Sequence, residues 1–272
     1  MTRFLLPSCL LVAAGCAQAQ TVLWQDHFDK RIAGRWKADA ERFSGVPSDE
    51  TRAGNGESQR YDPGQIRIAK GLLQIDGRMM TEGERRRWAE RVRDPKFKYA
   101  GSNLRNMLQI DRVSGQITTF PATPFAPGTR LSARVKLPVA AAAWPAVWGY
   151  DYVNHTEIDV FEGSGRAGSD PQGNVSQAMH DGESKVNSGC PKVAIPTEGW
   201  HEFYADWRDP KKIVFGYDGR VNCTVATTPR MTKPMVIMIG MAIGSSGWPW
   251  IGQPAPGDAK PRFLVDWVKV ER

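Results

Sequence analysis

Apolar and polar residues alternate with a period of two in several segments of this 272-residue chain. The clearest segment, RLSARVKLPV at 130–139, starts with four polar residues that alternate with four apolar ones. Such alternation is typical of a β-strand that buries one face. Similar patterns occur in HEFYADW (201–207), KIVFGYDG (212–219) and FLVDWVKV (263–270). No segment keeps a long helical period, so the pattern predicts an all-β chain.

Turn residues separate these segments. Lys70-Gly71 divides two apolar runs in GQIRIAKGLLQIDG, and Asp218-Gly219 follows a third, so both pairs predict β-hairpins. The 27 Gly and 19 Pro residues recur along the chain, which favours an antiparallel sandwich of short strands. No internal repeat or shift in composition divides residues 20–272, which we expect to form a single domain.

The basic stretch ERRRWAERVRD at 84–94 departs from the strand pattern. A short amphipathic helix and a solvated loop are both open interpretations, and we expect a solvated face. The chain carries a formal net charge of +7, and its other charges are spread out. A basic surface suits an anionic polymer, including an acidic polysaccharide. The sequence has no nucleic-acid-binding motif, so we expect no nucleic-acid partner.

Residues 1–19 have the composition of a secretory signal peptide. Arg3 precedes an apolar run, and the small residues Ala17 and Ala19 fit a cleavage site after Ala19. The apolar run is too short for a transmembrane helix. In the alternative interpretation, cleavage occurs before Cys16, which then carries a lipid anchor. Both interpretations predict an exported protein, secreted or periplasmic in a bacterium.

Two cysteines remain after cleavage at Ala19, namely Cys190 and Cys223. We expect them to pair in a disulfide, because exported proteins fold under oxidising conditions. Two unpaired buried thiols are the alternative. No CxxC or His-rich spacing indicates a zinc or haem site.

Three carboxylates lie within six residues of the segment HTEIDVFEGSG at 155–165. On a regular strand Glu157 and Asp159 share one face, whereas Glu162 points to the other. A β-bulge at 160–161 would turn Glu162 back to the first face. Converging carboxylates repel each other until one keeps its proton near neutral pH, and retaining glycoside hydrolysis uses such a pair. A solvated strand face and a calcium site are the alternatives.

Aromatic residues precede the carboxylates in AAAWPAVWGY at 141–150. By parity, Trp144, Trp148 and Tyr150 share one face of a strand. Rings beside carboxylates form a platform for sugars, because an aromatic face offers a large apolar area. Core packing is the alternative, above all for Trp144.

These two segments together resemble glycoside hydrolase family 16, with WPAVW at 144–148 followed by EIDVFE at 157–162. Flanking segments are similar too, so the resemblance covers nearly all of 20–272. It implies a concanavalin A-like β-sandwich (jelly roll) of two antiparallel sheets with a concave substrate cleft. It also implies a retaining endo-β-glycosidase that forms a covalent glycosyl-enzyme. The implied substrate is a β-glucan-type polysaccharide, β-1,3 or mixed β-1,3/1,4, or else a bacterial exopolysaccharide.

The family pattern implies roles for individual residues. Matched position by position, Glu157 is the nucleophile, Asp159 the assisting aspartate and Glu162 the acid/base. Trp148 matches the aromatic residue that contacts the sugar beside the cleaved bond. Further candidates for substrate contacts are Trp144, Asn55, Glu57, His180, Trp248 and Trp250.

The chain departs from the family pattern in two segments. GNGE at 54–57 lacks the Trp that the family often has there, and Tyr61 or Trp88 would have to replace its ring. The segment 79–107 is longer and more basic than the pattern, and the resemblance assigns it no place.

The acidic residues that hold a structural calcium in many members of the family are only partly present. The first strand reads Asp26-His27-Phe28, without the expected Glu, whereas Asp266 matches the other acidic ligand. We therefore expect no required cofactor and no metal site.

Two other functions remain open on the same fold. A transglycosylase uses the same carboxylates but transfers the glycosyl group to a sugar hydroxyl, and a carbohydrate-binding protein performs no reaction. The full set of three carboxylates favours an enzyme. We expect a monomer without a transmembrane segment.

Overall fold

The structure is a computed structural model. It describes residues 20–30, 36–38, 57–95, 104–119, 123–165, 173–183, 187–244, 251 and 260–272. The predicted leader with Cys16, and the candidates Asn55, Trp248 and Trp250, lie outside the described residues. Within the described ranges, no helix has the length and hydropathy needed to cross a membrane.

Strands dominate the described part of the chain, as the alternating pattern predicts. In chain order they are β1 (Val22–Asp26), β2 (Trp36–Lys37), β3 (Gln59–Tyr61), β4 (Ile66–Ala69), β5 (Leu72–Asp76), β6 (Arg78–Met79), β7 (Arg112–Ser114), β8 (Gln116–Thr119), β9 (Thr129–Lys136), β10 (Ala143–Tyr150), β11 (Glu157–Gly163), β12 (Val175–His180), β13 (Asn187–Gly189), β14 (His201–Trp207), β15 (Lys212–Tyr217), β16 (Arg220–Ala226), β17 (Val236–Ile243) and β18 (Arg262–Glu271). The helical elements are α1 (Glu82–Arg93), α2 (Leu104–Leu108) and a 3₁₀ turn at Pro63–Gln65.

Two large antiparallel sheets form a sandwich, which confirms the predicted fold class. The eight-stranded sheet has the order β16-β15-β14-β9-β18-β5-β4, and β1 also pairs with β18. The seven-stranded sheet has the order β13-β12-β11-β10-β17-β8-β2. A small third sheet, β3-β7-β6, lies beside them. Because β18 pairs with β1, β5 and β9, a segment near residue 272 occupies the interior of the eight-stranded sheet.

The main hydrophobic core lies between the two large sheets. Leu131, Ala133 and Val135 of β9 are fully buried in it, as the alternation predicts. Phe161 of the seven-stranded sheet stacks on Phe203 of the eight-stranded sheet, with ring centroids 4.6 Å apart. Burying side chains of this size stabilises the fold by about 1.5–3 kcal/mol each.

Two tight turns have the backbone conformation that their residues predict. Lys70 and Gly71 have φ angles of 56° and 69°, and Asp218 and Gly219 have φ angles of 46° and 74°. Two successive left-handed residues match the twist of the flanking strands. Both predicted hairpins, β4–β5 and β15–β16, are therefore confirmed.

The basic stretch at 84–94 belongs to a helix, so the solvated-loop interpretation is wrong. A capping box between Thr81 and Glu84 starts α1. Trp88 and Val92 are buried in a second small core with Val113 of β7. The expected solvated face is present on this helix, because its arginines and Glu90 are exposed. Helix α1, within the segment 79–107 that the resemblance leaves unplaced, thus belongs to a small core of its own.

A disulfide joins the edges of the two large sheets. Cys190 directly follows β13, an edge strand of the seven-stranded sheet, and Cys223 lies on β16, an edge strand of the eight-stranded sheet. The two Cα atoms are 5.6 Å apart, and 33 positions separate the residues in sequence. The predicted pairing is present, and the unpaired-thiol alternative is wrong.

Replacing both cysteines, Cys190→Ser with Cys223→Ser, should lower the free energy of unfolding by about 2–5 kcal/mol. The physical reason is that the unfolded chain regains the freedom that the closed loop removes. Urea unfolding followed by tryptophan fluorescence measures the change. A reductant should destabilise the native protein by a similar amount and leave the double variant unchanged; equal unfolding midpoints for native and variant would contradict the prediction.

Candidate active site

A cleft of about 640 Å³ lies on the face of the seven-stranded sheet that is turned away from the main core. Strands β10, β11, β12 and β17 supply most of its lining. The structure brings the following predicted site residues together in this cleft: Glu57, Trp144, Trp148, Glu157, Asp159, Glu162 and His180. They come from four separate segments of the chain, so the cleft is a product of tertiary folding.

The register of β11 against its neighbours shifts inside the carboxylate segment. Against β10, Asp159 pairs with Trp148, but Phe161 pairs with the adjacent Val147. Val160 is therefore an extra residue on β11, with no partner position on β10. Against β12, the same shift falls between Asp159 and Glu162. This is the β-bulge that the spacing of the carboxylates predicts.

The bulge determines where the side chains of β11 point. Val160 and Phe161 are both fully buried in the main core, although they are adjacent in sequence. Glu162 is consequently turned to the cleft, on the same side as Glu157 and Asp159. If β11 were regular over the same residues, Glu162 would face the core, where an unpaired carboxylate is very costly.

Glu162 has the properties of a carboxylic acid near neutral pH. Burial, followed by the negative charge of Glu157, raises the pKa of Glu162 to about 7. The indole nitrogen of Trp144 donates a hydrogen bond to its Oε1 at 3.0 Å, which partly offsets this rise. A group with a pKa near 7 can both donate and accept a proton at physiological pH.

Asp159 and His180 share a proton across two strands. His180 Nε2 lies 3.1 Å from Asp159 Oδ2. Burial and the charges of Glu157 and Glu162 raise the pKa of Asp159, while the hydrogen bond that His180 donates to Asp159 raises the pKa of His180 to about 9. His180 therefore keeps its proton near neutral pH, and its side chain is 36% exposed whereas that of Asp159 is almost fully buried. An imidazolium thus faces Glu157, its cross-strand partner.

Trp144 and Trp148 line the cleft but expose little ring surface. They are 7% and 6% exposed. Trp144 packs on Ala242 and Ile251, and Trp148 packs on the side of β17 that faces the cleft. Both rings therefore form the cleft wall and leave a narrow strip of aromatic surface for a sugar.

The comparison with protein families shows which family the chain belongs to. A model described as Glycosyl hydrolases family 16 matches residues 96–269, which include β7 to β17, most of β18 and all three carboxylates.

The chain belongs to glycoside hydrolase family 16.

It is accordingly a glycoside hydrolase, and the resemblance inferred from its motifs is confirmed. Among curated proteins, none matches the sequence of this family 16 enzyme.

Solved structures share its fold at low sequence identity. The catalytic domain of an endo-1,3-beta-glucanase (laminarinase) from Thermotoga petrophila RKU-1 has a TM-score of 0.66 and 19% identity, over 93% of this chain and 98% of that one. An endo-beta-1,3-glucanase from Pyrococcus furiosus has a TM-score of 0.66 and 23% identity, over 93% and 94%. A structure from a study of mucin O-glycanases of human gut microbiota has a TM-score of 0.67 and 20% identity, over 93% and 91%.

At the Glu57 end of the family 16 cleft, Tyr61 occupies the wall. Tyr61 Oη donates to Glu57 Oε2 at 3.2 Å, and Gln59 Nε2 donates to the same oxygen at 2.6 Å. Trp88, the other candidate to replace the missing family Trp, is buried in the second core and does not line the cleft. That suggestion is therefore wrong for Trp88, because its indole points inward to bond Met107 O.

Some cleft residues have no prediction from sequence. Ser176 lies on the cleft side of β12 with His180, so the alternation of SQAMH places it there. Lys192 lines the cleft from the segment after Cys190, and no sequence pattern predicts that position.

The two acidic positions associated with calcium in the family do not fit a metal site here. Asp26 accepts hydrogen bonds from Phe28 N at 2.7 Å and from Trp36 Nε1 at 2.8 Å. Asp266 forms an ion pair with Arg134. Among the residues that the structure describes, no cluster of three or more His, Cys, Asp or Glu side chains is arranged around a metal position.

Replacing His180→Gln should raise the pKa of Glu162 above about 7, because the positive imidazolium favours the ionised form of Glu162. The titration of the Glu162 carboxyl carbon by ¹³C NMR measures this pKa. His201→Gln is the matched control, since His201 forms a similar ion pair with Asp218 on the other sheet. An unchanged or lowered pKa of Glu162 in His180→Gln would show that the two groups do not interact.

Proposed function

We propose that this family 16 enzyme is an exported, retaining endo-β-glycosidase. Its proposed substrate is a β-glucan-type polysaccharide with β-1,3 or mixed β-1,3/1,4 linkages. The observation that carries the proposal is the bulge in β11, which places Glu157 and a protonatable Glu162 in one open cleft. The Thermotoga petrophila and Pyrococcus furiosus enzymes, which share its fold, are endo-β-1,3-glucanases, and this supports a β-1,3-glucan.

In the first step, Glu157 attacks the anomeric carbon of the sugar. A covalent ester forms between this carbon and the carboxylate, and the bond to the leaving oxygen breaks as Glu162 transfers its proton to that oxygen. Asp159 lies between the two on the same face of β11 and hydrogen-bonds His180. The imidazolium stabilises the negative charge of this cluster before attack.

Glu162 must be protonated in the first step and ionised in the second. The negative charge of Glu157 helps to raise the pKa of Glu162. Once Glu157 is an ester, that charge is gone, so the pKa of Glu162 falls and the carboxylate form is favoured. In the second step this carboxylate removes a proton from water, which attacks the anomeric carbon and releases Glu157. The product keeps the original configuration.

The proposal also covers export, cofactor requirement and oligomeric state. The composition of residues 1–19 supports export, and the first residue of the mature protein, Gln20 or Cys16, distinguishes the two cleavage sites. The mechanism uses carboxylates and water only, so we propose that it needs no cofactor. We also propose that the enzyme acts as a monomer on its polysaccharide.

Glu157→Gln should lower the rate of reducing-sugar release by roughly 10³-fold or more, because the nucleophile is lost. Native and variant proteins are assayed on a panel of β-1,3-glucan, mixed-linkage β-glucan, agar, carrageenan and mucin O-glycans. Glu202→Gln, on the eight-stranded sheet, is the control that should keep native activity. Equal release by native protein and Glu157→Gln would contradict the mechanism, and release from another panel member alone would contradict the substrate.

The same panel distinguishes hydrolysis from transfer. Chromatography of the products from a defined oligosaccharide shows only shorter sugars if water is the acceptor. Products longer than the starting oligosaccharide would replace the hydrolase proposal with a transglycosylase.

The activity of the free enzyme should fall above pH 7, by about tenfold for each pH unit, because the first step needs protonated Glu162. The pH dependence of kcat/KM on the preferred glucan measures this limb. A substrate with a dinitrophenyl leaving group needs no proton and should lack the limb. If kcat/KM falls above pH 7 in the same way for both substrates, the fall is caused by the ionisation of a group other than Glu162.

A further inference from the structure

Gln177 lies in the core directly behind the bulge that carries the carboxylates. It is on β12 between Ser176 and Ala178, which pair with Glu162 and Asp159 across the bulge. Its side chain has no exposed surface. A buried amide in an otherwise apolar layer is costly unless its hydrogen bonds are satisfied.

The amide of Gln177 is satisfied by backbone carbonyls from both sheets. Its Nε2 donates to Val160 O at 2.7 Å and to Gly216 O at 3.1 Å, with Tyr204 O at 3.4 Å. Its Oε1 accepts a hydrogen bond from Asn222 Nδ2 at 3.2 Å. A carboxamide has two N–H donors, which match the two nearer carbonyls.

Both of these nearer carbonyls belong to irregular strand positions. Val160 is the extra residue of the bulge in β11, and the pairing of β15 with β16 shifts register between Phe215 and Gly216. A shift in register disturbs the regular ladder of backbone hydrogen bonds. Gln177 therefore connects two irregularities that face each other across the core.

We propose that Gln177 is a positioning residue, whose carboxamide fixes the bulge and thereby holds Glu162 on the cleft face beside Glu157. The bond to Val160 O fixes the peptide between Val160 and Phe161, which is the point where the strand changes face. No apolar side chain can supply the two donors at this point. The structural part of the proposal stands on these contacts, and its kinetic part rests on the proposed glycosidase function.

A residue that only stabilises the core would have different effects. Gln177→Met keeps the length of the side chain and removes both donors. Asn174→Leu is the matched control, because Asn174 is a buried amide that bonds Ile195 O at 2.9 Å and Ser164 O at 3.4 Å, beyond the end of β11. Each variant leaves buried carbonyls unpaired, at a cost of about 1–3 kcal/mol in stability. Only Gln177→Met should change the environment of Glu162.

The first experiment needs no substrate. The Trp144 indole N–H donates to Glu162 Oε1, so its ¹H–¹⁵N NMR signal reports the ionisation of Glu162. The native signal should titrate with a midpoint near pH 7, and Glu162→Gln should abolish this titration. In Gln177→Met, Glu162 leaves its place beside Glu157 and Trp144, so the midpoint should shift from the native value or the titration should vanish. A midpoint equal to that of native protein and Asn174→Leu would overturn the proposal.

The second experiment measures kcat/KM on the preferred glucan and on the matching dinitrophenyl glycoside. Gln177→Met should lower kcat/KM on the glucan about 10²-fold or more, mainly through kcat, because proton donation by Glu162 is impaired. The loss on the activated glycoside should be far smaller. Equal losses on both substrates would overturn the proposal. If native protein hydrolyses no panel member, the glycosidase proposal fails, and the indole titration still decides the role of Gln177.

Discussion

Side chains on a β-strand alternate between its two faces, and the active site of this enzyme exists because β11 breaks that alternation once. Glu157 and Asp159 share a face by the ordinary period, whereas Glu162 reaches them through the extra residue Val160. The break also lets Phe161 enter the core and stack on Phe203. The same irregularity thus supplies the cleft with an acid and the core with an aromatic ring, so neither can be changed independently.

Low dielectric makes the protonation states of the cleft interdependent. Burial alone disfavours charge on Asp159 and Glu162, and each negative neighbour adds to that effect. His180 supplies the compensating positive charge from the next strand. The cluster therefore holds its protons collectively, and the proton on Glu162 is available for transfer because Asp159 is already bonded to the imidazolium. The coupled groups lie on two strands, β11 and β12, so their protonation depends on how these strands pair and not on one motif alone.

The sequence predicts features that depend on local periods or on simple pairing. The parity of the carboxylates required a bulge at 160–161, and two left-handed turns follow from Lys70-Gly71 and Asp218-Gly219. The disulfide was predictable because a mature exported chain has two cysteines left to pair. Helix α1 was harder, since only two of its residues are buried and its charge resembles that of a loop. The three candidates outside the described residues, Asn55, Trp248 and Trp250, stay predictions.

Contacts between strands that are distant in sequence were beyond prediction. The bond between His180 and Asp159 depends on the register of β12, and Trp88 is excluded from the cleft by the packing of helix α1. A single Gln such as Gln177 forms no pattern in the sequence, so its contacts with Val160 and Gly216 are visible only in the structure.

The position of β18 sets the order in which the molecule can be completed. This strand lies between β9 and β5, which precede it by more than a hundred residues. Until β18 is in place, its partner edges on β9 and β5 stay open. Pairings between distant segments form slowly, because a long loop must close before any contact is gained. The eight-stranded sheet should therefore close after its local hairpins β4–β5 and β15–β16, whose strands are neighbours in sequence.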